Sequence, residues 1–202
     1  MALNSLLSMV ALAVILNSCH KNNDAPGNSV QLAGNYQFLY ISVQTQAISQ
    51  DSTSLGTQKN VTYSNYETDK NSGTITFTQD SILSTGVGYS ADATLHTSNY
   101  ANGELIDSFP VVVGQTSSPS VPATKYSVIG KDSIVFRGGF LTAGLTGSSD
   151  MIEPTSGGRF SFKGDTLFIT SIVNQQVSYQ PSAGETMFQS ISGLVVISML
   201  RQ

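Results

Sequence analysis

Apolar and polar residues alternate with a period of two along much of this 202-residue chain. Tyr36, Phe38 and Tyr40 fall on one side of such a run, and Ile75 with Phe77 on one side of another. Tyr126 with Val128, Ile134 with Phe136, Phe160 with Phe162 and Leu167 with Ile169 repeat the pattern, with Thr, Ser, Gln and Lys in between. Successive side chains of an extended strand point to opposite faces, so the pattern describes strands with one packed and one wet face, the arrangement of antiparallel sheets. The spacing of an amphipathic helix is missing.

The breaks between runs carry turn chemistry. In Gln79-Asp80-Ser81-Ile82, Lys131-Asp132-Ser133-Ile134 and Gly164-Asp165-Thr166-Leu167, a polar turn leads into Asp, a hydroxyl residue and an aliphatic. Each predicts a tight hairpin, with Gly130 and Gly164 free to take positive φ and the Asp and hydroxyl groups able to satisfy turn amides. Asn102-Gly103 is a further hairpin signal. Longer polar loops are expected over residues 44–57, 114–123, which holds Pro119 and Pro122, and 143–156. The apolar run 193–200 predicts a central or closing strand, with a short helix as the other reading of its periodicity. The sum is an all-β chain of about ten short strands in a single antiparallel meander. A β-barrel is expected ahead of a β-sandwich, because closing the sheet removes its exposed edges.

The N-terminus departs from this pattern. Residues 5–16 are an apolar run of signal-peptide length, too short to cross ~30 Å of hydrocarbon. The run ends in Leu16-Asn17-Ser18-Cys19, which resembles the bacterial lipobox, where the Cys thiol is acylated and becomes the first residue after cleavage. Cys19 is the only cysteine, so no disulfide forms within the chain. Residues 1–4 supply no Lys or Arg ahead of the run. The expected organisation is a lipoprotein signal peptide at 1–18, the lipidated Cys19 with a flexible tether at 19–29, and one β domain at 30–202. The expected address is the outer membrane of a bacterial envelope, reached through the lipid.

Composition narrows the function. Asp, Glu, Lys and Arg make up 11% of the chain, against about a quarter in an average soluble domain. With 9 basic against 13 acidic residues there is no excess of positive charge to displace phosphate counterions, so nucleic acid is not an expected partner. An apolar content of 40% suffices for a core.

The lipobox, the short tether, the opening Gly34-Asn35-Tyr36-Gln37-Phe38 and the hairpins of the Gly-Asp-Thr-Leu kind together resemble a lipocalin-like lipoprotein of the Bacteroidetes type. Lipocalins open with Gly-x-Trp, whose Trp closes the barrel base against a late basic residue. Tyr36 stands in the Trp position here, and Arg201 is the only basic residue after Lys163. The resemblance implies a lipocalin-like barrel that binds a small hydrophobic ligand as a monomer. Tyr36, Phe38, Tyr40, Phe77, Phe136 and Phe162 are the candidate interior residues, and a core filled by these same aromatics is the competing expectation.

Catalytic and metal chemistry finds little footing. The chain has two histidines, His20 and His96, and neither has the spacing to Cys, His or carboxylates of a zinc site. No Gly-x-Ser-x-Gly elbow and no phosphate-binding Gly-x-x-x-x-Gly-Lys loop occurs. No catalytic residue, metal or cofactor is therefore assigned, and the chain is expected not to be an enzyme. The Asp-(Ser/Thr)-aliphatic triplets also resemble the acceptor motif of the O-glycosylation system of exported Bacteroidetes proteins, at Ser81, Ser133 and Thr166. The alternative function is an envelope interaction protein that binds a partner protein or glycan, which an exposed cluster of Tyr63, Tyr66, Tyr89 and Tyr100 would favour.

Overall fold

Ten strands and no helix are found among the described residues of the computed structural model, which are 32–117, 123–137 and 156–202. They are β1 (Gly34–Thr53), β2 (Gly56–Glu67), β3 (Asp69–Phe77), β4 (Ser81–Ala101), β5 (Glu104–Ser117), β6 (Thr124–Ile129), β7 (Ser133–Arg137), β8 (Ser156–Lys163), β9 (Thr166–Tyr179) and β10 (Thr186–Arg201). The signal peptide, Cys19, the tether and the expected loop over 143–156, up to residue 155, lie outside the described residues.

All strands belong to one antiparallel sheet, so the arrangement is not a two-sheet sandwich. Hydrogen bonds run from β1 through β3, β4, β6, β7, β8 and β9 to β10, and β10 pairs back to β1, which makes a barrel-like ring. β2 and β3 lie end to end between β1 and β4, and both pair with each of them. β5 and β6 pair with β4 in the same way. The ring closes around its lower end, where the Asp corners and both strand termini gather. Above it the order β5-β4-β2-β1-β10-β9 continues as a six-stranded extension.

Each lower corner is tied to the strand beside it. The Asp80, Asp132 and Asp165 carbonyls accept the backbone N–H of Tyr126, Phe160 and Arg201 at 2.8, 2.7 and 2.9 Å. The repeated Asp-(Ser/Thr) triplet thus marks three equivalent positions around the ring. Gly130 and Gly164 take φ of 67° and 60° in two of these turns, as their sequence contexts require. Thr78 shapes the third, its hydroxyl donating to the Ser81 carbonyl and accepting the Ser81 N–H.

Inside the lower ring the inward side chains fill the space. Tyr36, Phe38, Ile41, Ile75, Phe77, Ile134, Phe136, Leu167, Ile169 and Met199 are 0–2% exposed and form one cluster. Tyr36 meets Phe77 edge-on at 5.4 Å, and Phe77 meets Tyr126 edge-on at 5.5 Å, a geometry in which ring edges face the negative π faces. At the seam between β1 and β10 the Tyr36 hydroxyl donates to the Leu32 carbonyl at 2.8 Å and accepts from Arg201 Nη2 at 2.9 Å. The Arg201 guanidinium lies 5.4 Å from the Tyr36 ring and 5.1 Å from that of Phe162. A cation held over two aromatic faces is stabilised by their quadrupoles.

Two expectations change. The β1–β10 register shifts between Phe38 and Tyr40, so Tyr40 does not share the face of Tyr36 and Phe38. Ile41 and Val43 carry the buried row onward, and Tyr40 is half-buried opposite Ser198. Residues 44–53, 56–57 and 114–117, expected as loop, are strand; the first two stretches build the β1–β2 hairpin that rises above the core, and the third is the end of β5.

Replacing Tyr36 with Phe keeps the ring contacts and leaves the carbonyl of the buried Leu32 without its hydrogen bond from Tyr36. Tyr36→Phe is expected to lower stability by about 1–3 kcal/mol, seen in urea titration as a lower midpoint with an unchanged slope. Ser198 has the opposite problem: it is fully buried and its hydroxyl has no partner among the described residues. Ser198→Ala removes that desolvation cost and is expected to raise the midpoint, by about 1 kcal/mol in stability.

Candidate functional site

Going up β1 along the inward face, the side chains shrink. Phe38, Ile41 and Val43 are followed by Thr45, Ala47 and Ser49 on the same side. Residues directly opposite one another in an antiparallel pair share a face, so the β2 partners of Val43, Thr45 and Ala47, which are Tyr66, Ser64 and Thr62, line it too. Thr62 faces Thr97 of β4, and their hydroxyls lie 3.0 Å apart. Counting back in twos along β4 from Thr97 gives Leu95, Ala93, Ala91 and Tyr89, of which the last three are buried. On the other flank Val195, Gly193 and Ile191 of β10 stand opposite Val43, Thr45 and Ala47.

This face is narrow in side-chain volume for physical reasons that can be named. A Cβ on Gly193 would collide with the Gln44 carbonyl oxygen and the Thr45 Cα, and its φ of 153° is unfavourable for other residues. Here β10 bends close against β1, and only glycine allows it. Lower down, a bulge at Thr68 separates β2 from β3. The Ile41 N–H donates to Thr68 Oγ1 and the Thr68 N–H donates to the Ile41 carbonyl, both at 2.9 Å. The bulge leaves Tyr66 on the inward face just above the packed aromatics.

Two phenols mark the boundary between the packed base and the small-residue region. Tyr89 is 2% exposed, packs on Phe38 with ring centroids 6.1 Å apart, and its hydroxyl has no partner among the described residues. Tyr66 is half-buried; burial, and then the neighbouring Tyr89, push its phenol above the usual tyrosine value. Its raised value keeps the Tyr66 phenol protonated, as a hydrogen-bonding hydroxyl, at neutral pH. From Val43 to Ser49, from Thr62 to Tyr66 and from Tyr89 to Thr97, no inward position is charged. The first carboxylates on that face are Asp51 and Asp107, both exposed toward the open end.

No family model, curated protein or solved structure matches the chain.

The aromatic residues singled out in the sequence sit elsewhere. Tyr36, Phe38, Phe77 and Phe136 are at most 2% exposed, so they fill the ring and leave no surface for a ligand. Phe162 is half-buried beneath Arg201 at the base, and Tyr40 lies on the other face of β1. The four tyrosines expected as one exposed cluster divide in two. Tyr66 and Tyr89 face inward, whereas Tyr63 takes a hydrogen bond from Gln46 Nε2 at 2.6 Å and Tyr100 lies under Lys59 Nζ at 5.7 Å on the outward face. His96 is exposed on that outward face, opposite Tyr63 and Pro110. Ser81 and Ser133 donate to the carboxylates of Asp80 and Asp132 at 2.8 and 3.3 Å, so their hydroxyls act within the corners. Thr166 is half-buried in the third.

The small inward residues Thr45, Ala47, Ser49, Thr62 and Ser64 escaped the sequence reading. A signal was present: within residues 44–50, Gln44, Gln46, Ile48 and Gln50 alternate with Thr45, Ala47 and Ser49, a period of two in size and not in polarity.

The sign of the Tyr66 effect follows from its raised value. The folded protein binds the phenolic proton more tightly than the unfolded chain, so the contribution is undiminished below the unfolded value of about 10 and is lost as pH rises through the folded one. Stability measured by denaturant titration is expected to fall as pH rises above about 10, and Tyr66→Phe is expected to make that fall shallower.

Proposed function

We propose that this chain is a lipocalin-like envelope lipoprotein that holds a small hydrophobic molecule and is not an enzyme. The reading rests above all on one observation. Along a single face the inward residues pass from Phe38, Ile41 and Val43, which pack the ring solid, to Thr45, Ala47 and Ser49, which are too small to do so. Small inward side chains on long, curved strands are how β-barrels make room for a ligand. The seam of Tyr36 and Arg201 at the base supports the lipocalin comparison, because an aromatic residue near the chain start there meets a basic residue near its end.

In this reading Cys19 carries the acyl chains and residues 19–29 tether the domain, as a monomer, to the outer membrane. A second reading, a partner-binding protein, draws on β5. There Leu105, Ile106 and Val112 are 58%, 65% and 81% exposed on a strand that pairs only with β4 among the described residues. Exposed apolar residues along such an edge suit a protein partner.

Native mass spectrometry of the chain purified from its own host tests both. The expected spectrum shows an acyl mass that Cys19→Ser removes, together with a small apolar molecule released on activation. An acylated chain that carries no such molecule and binds no apolar fluorescent probe would overturn the ligand reading and leave the β5 edge as the functional surface.

A further inference from the structure

Charge is spread unevenly around the ring. The stretch from β6 to β8 holds Lys125, Lys131, Arg137, Arg159 and Lys163, more than half of the 9 basic residues of a chain whose net charge is −4. Its acidic residues are Asp132, Asp150 and Glu153. The described residues on either side, 32–117 and 164–202, show the reverse balance: Lys59, Lys70 and Arg201 stand against nine carboxylates.

Strand geometry gathers these cations on one surface. Tyr126, Ile134, Phe136 and Phe160 point into the core, so Lys125, Arg137, Arg159 and Lys163, at odd spacings from them on the same strands, point outward. All four are exposed, as is Lys131 in the turn between β6 and β7. Lys125 stands directly opposite Arg137, and further down β7 Ser133 stands opposite Arg159, with Lys163 lower again on β8. The cations thus descend the outer wall as a stripe roughly 25 Å long. Like charges directly opposite each other across an antiparallel pair repel, a cost that an anion lying over Lys125 and Arg137 would remove. Neighbouring carboxylates cancel little of this charge. Lys125 Nζ is 3.9 Å from Asp80 Oδ2 and Arg159 Nη1 is 3.8 Å from Asp132 Oδ2, with every side chain in the two pairs more than half exposed. Ion pairs that long and that wet contribute little. At the lower edge of the stripe Ile129, 59% exposed, leads into the turn that carries Lys131.

The occupant follows from where the domain begins. The Arg201 N–H donates to the Asp165 carbonyl in the turn after Lys163, and the Gln202 N–H donates to the Asn35 carbonyl of β1. The start of β1 is therefore two strand spacings, roughly 10 Å, from the Lys163 turn. The chain from Cys19 to Gly34 spans at most about 50 Å. A lipid surface that holds an acyl group on Cys19 lies within reach of the stripe.

We propose that the outer wall of β6–β8 lies on the head groups of an anionic phospholipid surface. The proposal rests on the lipoprotein reading above for its anchor and adds which side of the domain meets the membrane. Each Lys or Arg near such a surface adds attraction, and the anchor keeps the local concentration of head groups high. Ile129 enters the boundary between head groups and acyl chains. β1 stands across the ring from β7, so its outward face is turned to water.

Amine footprinting of the chain purified from its host tests this, with acetylation read at each lysine by mass spectrometry on vesicles of phosphatidylcholine or of phosphatidylglycerol. Lys125, Lys131 and Lys163 are expected to react at least threefold more slowly on phosphatidylglycerol, with Lys59 and Lys70 unchanged. Raising NaCl to about 0.5 M is expected to erase the difference. Arg137→Glu with Arg159→Glu, two exchanges on the exposed wall, is expected to restore most of the lost reactivity at the three lysines while leaving the unfolding midpoint nearly unchanged. Equal rates at those lysines on both vesicles overturn the proposal, as does equal slowing of Lys59 and Lys70, because no side is then preferred. Slowing in native envelope fragments but on neither vesicle also overturns it and assigns the stripe to an acidic macromolecule. A missing acyl mass on Cys19 fails the lipoprotein reading alone, since the footprint on phosphatidylglycerol still reports whether the stripe meets anionic lipid.

Discussion

Everything above the core depends on the pairing of β1 with β10. That ladder runs from Tyr36 opposite Arg201 to Ser52 opposite Thr186, and it is the pairing that turns an open meander into a ring. Its lower end joins residues 165 apart in sequence, through a hydrogen bond between Arg201 and Tyr36. Closing a segment of that length costs entropy before any contact offsets it, so this seam is expected to form late and to govern how slowly the ring assembles. Placing Arg201 over two aromatic rings, with its backbone N–H on the Asp165 carbonyl, concentrates several contacts where that cost falls. The Gln202 N–H adds a bond to the Asn35 carbonyl beside it.

Two irregularities then mark the boundary between the packed ring and the small-residue strands that extend above it. The register shift between Phe38 and Tyr40 lets β1 hold large residues inward on both sides of the shift, first Tyr36 and Phe38, then Ile41 and Val43. The bulge at Thr68, held by Asn71 Nδ2 on the Thr68 carbonyl and by Thr68 Oγ1 on Asn71, does the same on the facing strand and leaves Tyr66 inward above it. Bulges bend a strand and increase its twist, which is how a sheet of long strands curls far enough to close. The same features that shape the ring set the level at which the row of large inward residues ends.

The hairpins and the strand class were legible because each rests on local chemistry. Gly130, Gly164 and Asn102-Gly103 require positive φ, and the apolar partners Ile75 with Phe77 or Leu167 with Ile169 show their period within a few residues. The central or closing place of the last strand was legible from an apolar run interrupted only at Ser198, although the same periodicity left a short helix open. What escaped depends on distant partners. Whether Tyr40 or Ile41 faces inward is decided by β10, and whether Phe38 lines a pocket or plugs the base is decided by seven other strands. The stretch from Gln44 to Thr53 was hidden for a different reason: its strand formation rests on polar cross-strand neighbours, and its inward residues are small instead of apolar.

That polarity raises a problem of register which the structure answers at both ends. Strands of 12 to 21 residues with hydroxyl and amide groups on both faces have little hydrophobic pattern to fix their alignment, and a slip of one residue would turn every side chain to the other face. For β2 and β4 such a slip would carry Tyr66 and Tyr89 outward together. Below, the buried row of Phe77, Ile82, Val87 and Tyr89 anchors the alignment. Above, Asn102 and Gly103 form the tight turn between β4 and β5 with φ of 51° and 88°, and Asn102 also locks onto β2. Its N–H donates to the Thr57 carbonyl at 2.8 Å while its Oδ1 accepts the Thr57 N–H at 2.9 Å. Between these anchors the hydroxyl pairs Thr62 with Thr97 and Ser98 with Ser108 hold the strands without adding bulk. The 30 Ser and 19 Thr of this chain, many of them on these strands, thus allow strands to extend well beyond the core while their inward face stays small and uncharged.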